Sequence, residues 1–238
     1  MPAAIPRSRV ASWHVLCDFD HTITTEDVTD GLLERYADPL WQWLESAWQE
    51  GRIDARGCMA AQVALLDVTP AELDAYLCTV AIDPEFVAFA GFCATAGVGL
   101  EIVSDGLDRS VHQVLARHGL DHLPITANRL HMLGNGQWAV RFQHPGTGCR
   151  GRQGVCKCAV ANQQPVATRR LLIGDGQSDV CLASEVDLVF AKDRLLAHCR
   201  AQGIRHVPIA GFADALQAMR RLIETTVSVD LSLETLHA

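Results

Sequence analysis

Four aspartates, Asp18, Asp20, Asp175 and Asp179, stand in two short polar clusters that each follow an apolar run. The first is Asp18-Phe19-Asp20-His21-Thr22 after His14-Val15-Leu16-Cys17; the second is Gly174-Asp175-Gly176-Gln177-Ser178-Asp179 after Leu171-Leu172-Ile173. A third cluster, Ser104-Asp105-Gly106, closes the run from Val98 to Val103, and Lys157 lies ahead of the second. Carboxylates gathered on one rim repel unless a cation neutralises them, and hard oxygen ligands with room for water suit Mg²⁺. A carboxylate so placed can attack phosphorus and form an aspartyl-phosphate. A second carboxylate two residues on can act as general acid and base. Charge on a transferred phosphoryl group is then met by Mg²⁺, backbone N–H groups and a fixed cation. Ser104 and the backbone of Ser104-Asp105-Gly106 can donate to it, and Lys157 can supply the cation. Each piece alone has a plainer reading. Ser-Asp-Gly makes turns, a single Lys is usually solvated, and Asp179 can cap the next helix. Their joint order at strand ends is what points to chemistry.

The surrounding pattern supplies elements that can hold these clusters together. His14 to Cys17 reads as a buried strand feeding a polar loop. From Glu26 to Leu77 the spacing turns helical, with Leu32, Leu33, Tyr36, Leu40, Trp43 and Leu44 recurring every three or four residues. Thr69 before Pro70, with Glu72 three residues on, marks a capped helix start. This stretch has the form of a helical insertion. Helices are then expected over Phe86–Ala96 and Leu107–His118, around a strand at Val98–Val103. Two β-rich runs between Ile125 and Phe142 flank Gly134-Asn135-Gly136, a strong hairpin signal. That hairpin is either a surface flap or a second element shaping access to the site. Strands at Leu171–Ile173, Leu188–Ala191 and His206–Ile209 then alternate with helices at Asp179–Glu185, Leu195–Ala201 and Phe212–Ile223. The tail after Thr225 carries no clear signal. Alternating strands and helices imply an α/β fold with a parallel sheet and right-handed crossovers. In such sheets ligands bind at the carboxyl ends of the strands, where the three clusters fall.

Composition removes whole classes of function. The 238 residues are 49% apolar and 20% charged, the balance of a globular chain. Twenty Lys and Arg against 28 Asp and Glu give a net charge of −8, which argues against a nucleic-acid partner. No apolar run approaches the roughly 20 residues needed to span a bilayer, so no membrane partner is expected. The first 20 residues lack an apolar h-region ahead of a cleavage site, and a soluble cytoplasmic protein is the expectation. Six of the nine cysteines sit singly in apolar surroundings, as small buried hydrophobes. Cys149, Cys156 and Cys158, with His144 nearby, form a cluster that can be a structural Zn²⁺ site, a disulfide or free thiols.

Taken in order, Asp18-Phe19-Asp20-His21-Thr22, Ile102-Val103-Ser104, Lys157 and Gly174-Asp175-Gly176-Gln177-Ser178-Asp179 resemble the four motifs of the haloacid dehalogenase-like phosphatases. The helical insertion after the first motif resembles the small cap of the phosphoserine-phosphatase-like branch. That resemblance implies a Rossmann-like core at 1–24 and 83–238 and a helical cap at 25–82. It implies Asp18 as nucleophile and Asp20 as general acid and base. Phe19, Ser104, Asp105, Gly106 and Lys157 become phosphate-binding positions. Asp18, Asp20 and Asp175 become metal-site positions, Asp20 through its carbonyl, with Ser178 and Asp179 in support. The implied cofactor is Mg²⁺ and the implied partner a small phosphorylated metabolite; no oligomeric state follows. Asp187 to Leu196, His198-Cys199-Arg200 and Gly154-Val155-Cys156-Lys157-Cys158 are similar to one group. These are the methionine-salvage phosphatases acting on 2-hydroxy-3-keto-5-methylthiopentenyl-1-phosphate.

Other substrates with the same core are phosphoserine, phosphocholine and phosphoethanolamine, and a catalytically idle metabolite-binding domain is the reading from another class. Gln62 falls where phosphoserine phosphatases carry a carboxylate-binding Arg, and an amide cannot replace a bidentate guanidinium. Asp27 is a candidate substrate or cap-closure residue, or a helix-start carboxylate. His21 replaces a small residue and is expected to crowd the loop. Trp41, Trp43 and Trp48 are expected in the cap core, with a pocket for an apolar tail as the other reading.

Overall fold

A computed structural model of the chain describes residues 12–144 and 152–235. Its sheet has seven strands: β1 (Trp13–Cys17), β2 (Gly99–Leu107), β3 (Ile125–Met132), β4 (Trp138–Arg141), β5 (Arg169–Gly174), β6 (Leu188–Ala191) and β7 (His206–Pro208). They lie in the order β4-β3-β2-β1-β5-β6-β7. All neighbours are parallel except β3 and β4. The central strands read as unbroken apolar runs because helices cover both faces. Side chains alternate between those faces. Val15, Cys17, Leu171, Ile173, Leu188 and Phe190 join one apolar cluster, and Leu16, Leu172, Val189 and Ala191 join the other. On the first face α5 (Phe86–Ala96) and α10 (Phe212–Thr235) meet through Phe86 and Phe212, edge to face at 4.7 Å. On the second lie α7 (Lys157–Ala161), α8 (Val180–Ala183) and α9 (Asp193–Gln202).

Between β1 and α5 the chain forms α1 (Val28–Tyr36), α2 (Leu40–Gln49), α3 (Ala55–Ala64) and α4 (Pro70–Leu77). Each start but that of α2 has a side-chain cap, from Asp27, Asp54 and Thr69; Thr69 and Glu72 complete the capping box expected from sequence. The two crossings into this region are paired: Thr24 bridges Ile82, Thr25 N donates to Ala81 O at 3.2 Å, and Asp83 N to Ile23 O at 2.8 Å. Helix α4 is stapled to α6 (Asp108–Ala116) by the Arg109 guanidinium, whose Nε and Nη2 donate to Asp74 Oδ1 at 3.1 and 2.6 Å. Just beyond α6, Arg117 Nη1 donates to the carbonyl of Leu77, which α4 cannot satisfy itself, and to that of Val80 three residues further on.

Several expectations change in detail. The hairpin around Gly134-Asn135-Gly136 forms, but it is no surface flap. Its first strand extends the main sheet beside β2, and buried Trp138 donates its indole N–H to Val68 O at 2.8 Å, joining hairpin to helical insertion. β2 runs on to Leu107 through a register shift after Val103, so the 104–106 cluster lies in the strand. The segment 177–179 is a 3-10 turn that leads into α8. Helix α10 continues to Thr235, beyond the last residue at which apolar spacing marks a helix. Trp41 is buried as expected, but Trp43 is 55% exposed with the Arg52 guanidinium 5.1 Å from its ring centre. A surface ring shielded by a long cation needs no core.

Candidate active site

Asp18 leaves β1 at the carboxyl end of the sheet, its N–H still in the ladder at 2.9 Å from Ile173 O. The loop behind it is wound on one carbonyl: Phe19 O accepts from the N–H groups of Thr22, Ile23 and Thr24 at 3.2, 2.8 and 3.0 Å. The Phe19 side chain is fully buried and plugs the loop into the core. Its N–H, expected to serve phosphate, here donates to Asp18 Oδ1 at 2.8 Å. Lys157, the first residue of α7, lies with Nζ 2.8 Å from Asp18 Oδ2 and 2.7 Å from Asp179 Oδ1. Ser178 Oγ donates to Asp18 Oδ2 at 3.4 Å, and Thr22 Oγ1 to Asp175 Oδ1 at 2.9 Å. The expected strand-end residues therefore do converge. Asp179 starts α8 without capping it; its carboxylate is spent on Lys157 and on Gly176 N–H at 3.3 Å.

Asp20 lines the same cleft two residues further along the loop. Its Oδ1 accepts the N–H of Val28, the first residue of α1, at 2.9 Å, so the carboxyl is oriented by the helical insertion. Its Oδ2 lies over Gly106, where a Cβ would come within 2.6 Å of that oxygen and 3.1 Å of Ser104 Oγ. Gly106→Ala is therefore expected to displace the Asp20 carboxyl, lowering kcat about 10²-fold with little change in KM; steady-state kinetics checks it. Ser104 is fully buried beneath the cleft and accepts the Gly106 N–H at 2.9 Å, while Asp105 and Gly106 line the cleft.

One residue important to this arrangement escaped sequence reasoning. Asn128, fully buried on β3, donates through Nδ2 to the Asp105 carbonyl at 2.6 Å and to Asp105 Oδ1 at 3.2 Å. Asp105 Oδ1 in turn accepts Val155 N–H at 2.8 Å, two residues before Lys157. The pair thus ties the end of β2 to the segment that delivers the lysine. An Asn inside a hairpin strand, far along the chain from its partner, leaves no local mark.

The electrostatics are those of a site short of positive charge. Burial opposes the Lys157 charge, but Asp179 and Asp18 outweigh it and hold the ammonium above its usual pKa. Burial and the Asp18 charge push Asp179 up to about 8 despite its bond to Lys157. Asp175 is raised by burial and Asp18, and Asp20 well raised by burial and then Asp27. One ammonium does not neutralise this set. Ligand oxygens of Asp18, Asp175 and Asp179 lie within 4.8 Å of one another, a hard-oxygen donor set that fits Mg²⁺. Lys157 takes one oxygen of Asp18 and one of Asp179, and the remaining carboxylate oxygens of these three residues are the ones that would hold the ion.

Adding Mg²⁺ is expected to raise the melting midpoint, because binding to the native state alone adds about 2.7 kcal/mol of stability at a hundredfold excess over Kd. In EDTA the sign runs the other way with pH. A carboxyl raised on folding holds its proton more tightly in the native state. The stability Asp179 contributes is thus present below its unfolded pKa of 3.8 and lost as pH climbs through about 8. Relative to Asp179→Asn, the metal-free protein is expected to lose melting midpoint between pH 5 and about 8.5, which calorimetry reads directly.

A cleft of about 570 Å³ separates these strand ends from the helical insertion. Asp27 lines it and also caps α1, accepting Asp30 N–H at 2.9 Å. Gln62 lines it too, buried, with Nε2 donating to Glu45 Oε2 at 3.2 Å. His21 takes a left-handed backbone (φ 52°), a conformation that favours glycine, and its exposed ring lines the cleft instead of crowding the loop. Among the described residues Cys156, Cys158 and His144 do not converge as a metal-ligand set, and burial pushes the Cys158 thiol up to about 12. The third cysteine of the Zn²⁺ expectation, Cys149, lies outside the described residues.

Residues 15–184 match the family of haloacid dehalogenase-like hydrolases. The 2-hydroxy-3-keto-5-methylthiopentenyl-1-phosphate phosphatase of an Exiguobacterium species is 33% identical over 88% of this chain and 98% of its own length. The enzyme of the same name from Geobacillus kaustophilus is 30% identical over 87% and 96%. Among solved structures, a substrate-bound phosphoserine phosphatase complex superposes with a TM-score of 0.64 at 17% identity, covering 87% of this chain and 98% of that one. A phospho-aspartyl intermediate analogue of phosphoserine phosphatase gives 0.63 at 18%, with the same coverage. The chain belongs to the haloacid dehalogenase-like hydrolases, and within them to the phosphatases.

Proposed function

We propose that this phosphatase hydrolyses a small phosphomonoester through an aspartyl-phosphate on Asp18, with Mg²⁺ as cofactor. We further propose that its substrate is most like the methionine-salvage enol phosphate named for its relatives. The observation that carries the mechanism is the placement of Asp18 at the end of the central strand, held by Lys157, with Asp20 lining the same cleft. Asp18 attacks phosphorus while the ester P–O bond breaks, and Asp20, whose raised pKa suits a proton donor, protonates the leaving alcohol. Asp20, now a carboxylate, takes a proton from water as that water attacks the same phosphorus. Inorganic phosphate leaves and Asp18 is restored. Lys157 and the backbone N–H groups of Phe19, Asp105 and Gly106 are the donors assigned to the phosphoryl oxygens, Phe19 and Gly106 giving up their bonds to Asp18 Oδ1 and Ser104 Oγ as the ester binds. Bound Mg²⁺ would offset charge on the phosphoryl group and on Asp18 and Asp175.

Residues 25–82 act in this reading as a cap over a core of 1–24 and 83–238, supported by the paired crossings at Thr24–Ile82. The cap shields the first step from water. The enzyme is placed in the cytoplasm with its metabolite substrate. Phosphate release from a panel holding the salvage enol phosphate, phosphoserine, phosphocholine and p-nitrophenyl phosphate tests this. Mg²⁺-dependent release that EDTA abolishes is expected, with the enol phosphate preferred. Binding without release from any ester would instead indicate an idle metabolite-binding domain.

A further inference from the structure

The wall of the cleft opposite Asp18 comes from the helical insertion: Asp27 and Asp30 from the start of α1, Glu45 and Trp48 from α2, Met59 and Gln62 from α3. Among the described residues of that wall none is basic; the basic groups lining the cleft, His21 and Arg194, stand on the core side. The acidic groups feel one another. Burial, then Asp27, Glu45 and Glu34, push Asp30 up to about 7; burial, then Glu45 and Asp30, push the Cys58 thiol up to about 12. Gln62, the buried amide of this wall, already gives Nε2 to Glu45. A carboxylate entering here meets the charge of Glu45 and, ionised above about pH 7, that of Asp30, against one remaining Gln62 N–H. An uncharged or amine-bearing tail meets acceptors, with Trp48 and Met59 beside them for apolar surface.

We propose that Asp30, Glu45 and Gln62 make this site selective for phosphomonoesters whose tail carries no carboxylate. The proposal rests on the phosphatase reading above and deepens it by naming the substrate class. Specificity arises by repulsion: the wall tolerates many neutral tails and rejects an anionic one. Two like charges a few ångströms apart at the mouth of a cleft are enough for about tenfold to a hundredfold discrimination.

The test uses pairs of esters that differ by one carboxylate: glycerol 3-phosphate against 3-phosphoglycerate, and phosphoethanolamine against phosphoserine. Each is measured with the Mg²⁺-loaded enzyme as substrate and as competitive inhibitor of p-nitrophenyl phosphate hydrolysis, so that every compound yields a constant. The carboxylate-bearing member is expected to be worse by about tenfold or more in both pairs. In the Asp30→Asn/Glu45→Gln variant the ratio within each pair is expected to fall toward one, whatever happens to either rate. Gln62→Arg is expected to favour the carboxylate-bearing members. Equal constants within the wild-type pairs, or a ratio that the double variant leaves unchanged, overturn the proposal while leaving the phosphatase reading intact. Failure to hydrolyse p-nitrophenyl phosphate or any ester overturns both.

Discussion

Asp18→Asn is expected to remove at least about 10³-fold of kcat on every ester, because an amide is a poor nucleophile and no other group stands at its position. The fold should survive. An amide oxygen can still accept the Phe19 N–H at the place Asp18 Oδ1 occupies, and Lys157 keeps Asp179 as a partner. The substitution also removes one negative charge from a site where burial and mutual repulsion raise Asp175 and Asp179. In EDTA the variant is expected to melt close to wild type, the relief of repulsion offsetting the lost Asp18 contact to Lys157, and its stabilisation by Mg²⁺ to shrink. Phosphate release and calorimetry on the same samples check both. Turnover near the wild-type rate contradicts the role of Asp18.

Lys157→Met is expected to lose both activity and stability. Its side chain is 2% exposed and its ammonium bridges Asp18 and Asp179, and the methionine leaves those carboxylates buried with no counter-charge. Breaking a buried pair by removing one partner costs about 3–5 kcal/mol. The penalty should be largest in EDTA at alkaline pH and smaller at acidic pH, where Asp179, raised to about 8, takes up a proton and needs the lysine less. Adding Asp179→Asn should recover part of the melting midpoint and none of the phosphate release, which separates the structural share of Lys157 from its work on the phosphoryl group. Thermal melts across pH together with kcat for the single and double variants decide it. A double variant that recovers turnover along with stability contradicts a direct role for the lysine.

Much of this was legible in the residues themselves. The sheet declares itself because each central strand is a short apolar run that alternates with a helical pattern. The site declares itself because strand ends carry the clusters and parallel strands point those ends the same way. Thr69 and Glu72 fix the start of α4 through chemistry confined to four residues. What stayed hidden depends on partners distant in sequence. Asn128 meets Asp105 and Trp138 meets Val68 only after the hairpin joins the sheet. The acidic wall needs helices α1, α2 and α3 packed together before Asp30, Glu45 and Gln62 share a surface. Periodicity placed Trp43 inward because it recurs with Leu40 and Leu44, yet these fall on a face that α2 leaves open, with Leu40 52% exposed. Beyond Thr225 the apolar spacing is too weak to announce a helix that α10 nevertheless continues.

The central claim is that phosphorus passes through Asp18, and it can be read directly by mass. In Asp20→Asn the group that activates water for the second step is gone. With p-nitrophenyl phosphate, whose leaving group needs no proton, the first step should still proceed. Acid quenching and peptide mass analysis are expected to find a phosphoryl group on the peptide containing Asp18, present with Mg²⁺ and absent with EDTA. Continued phosphate release by wild type, with no phosphoryl group trapped on Asp18 or with one found on another residue, would contradict the account.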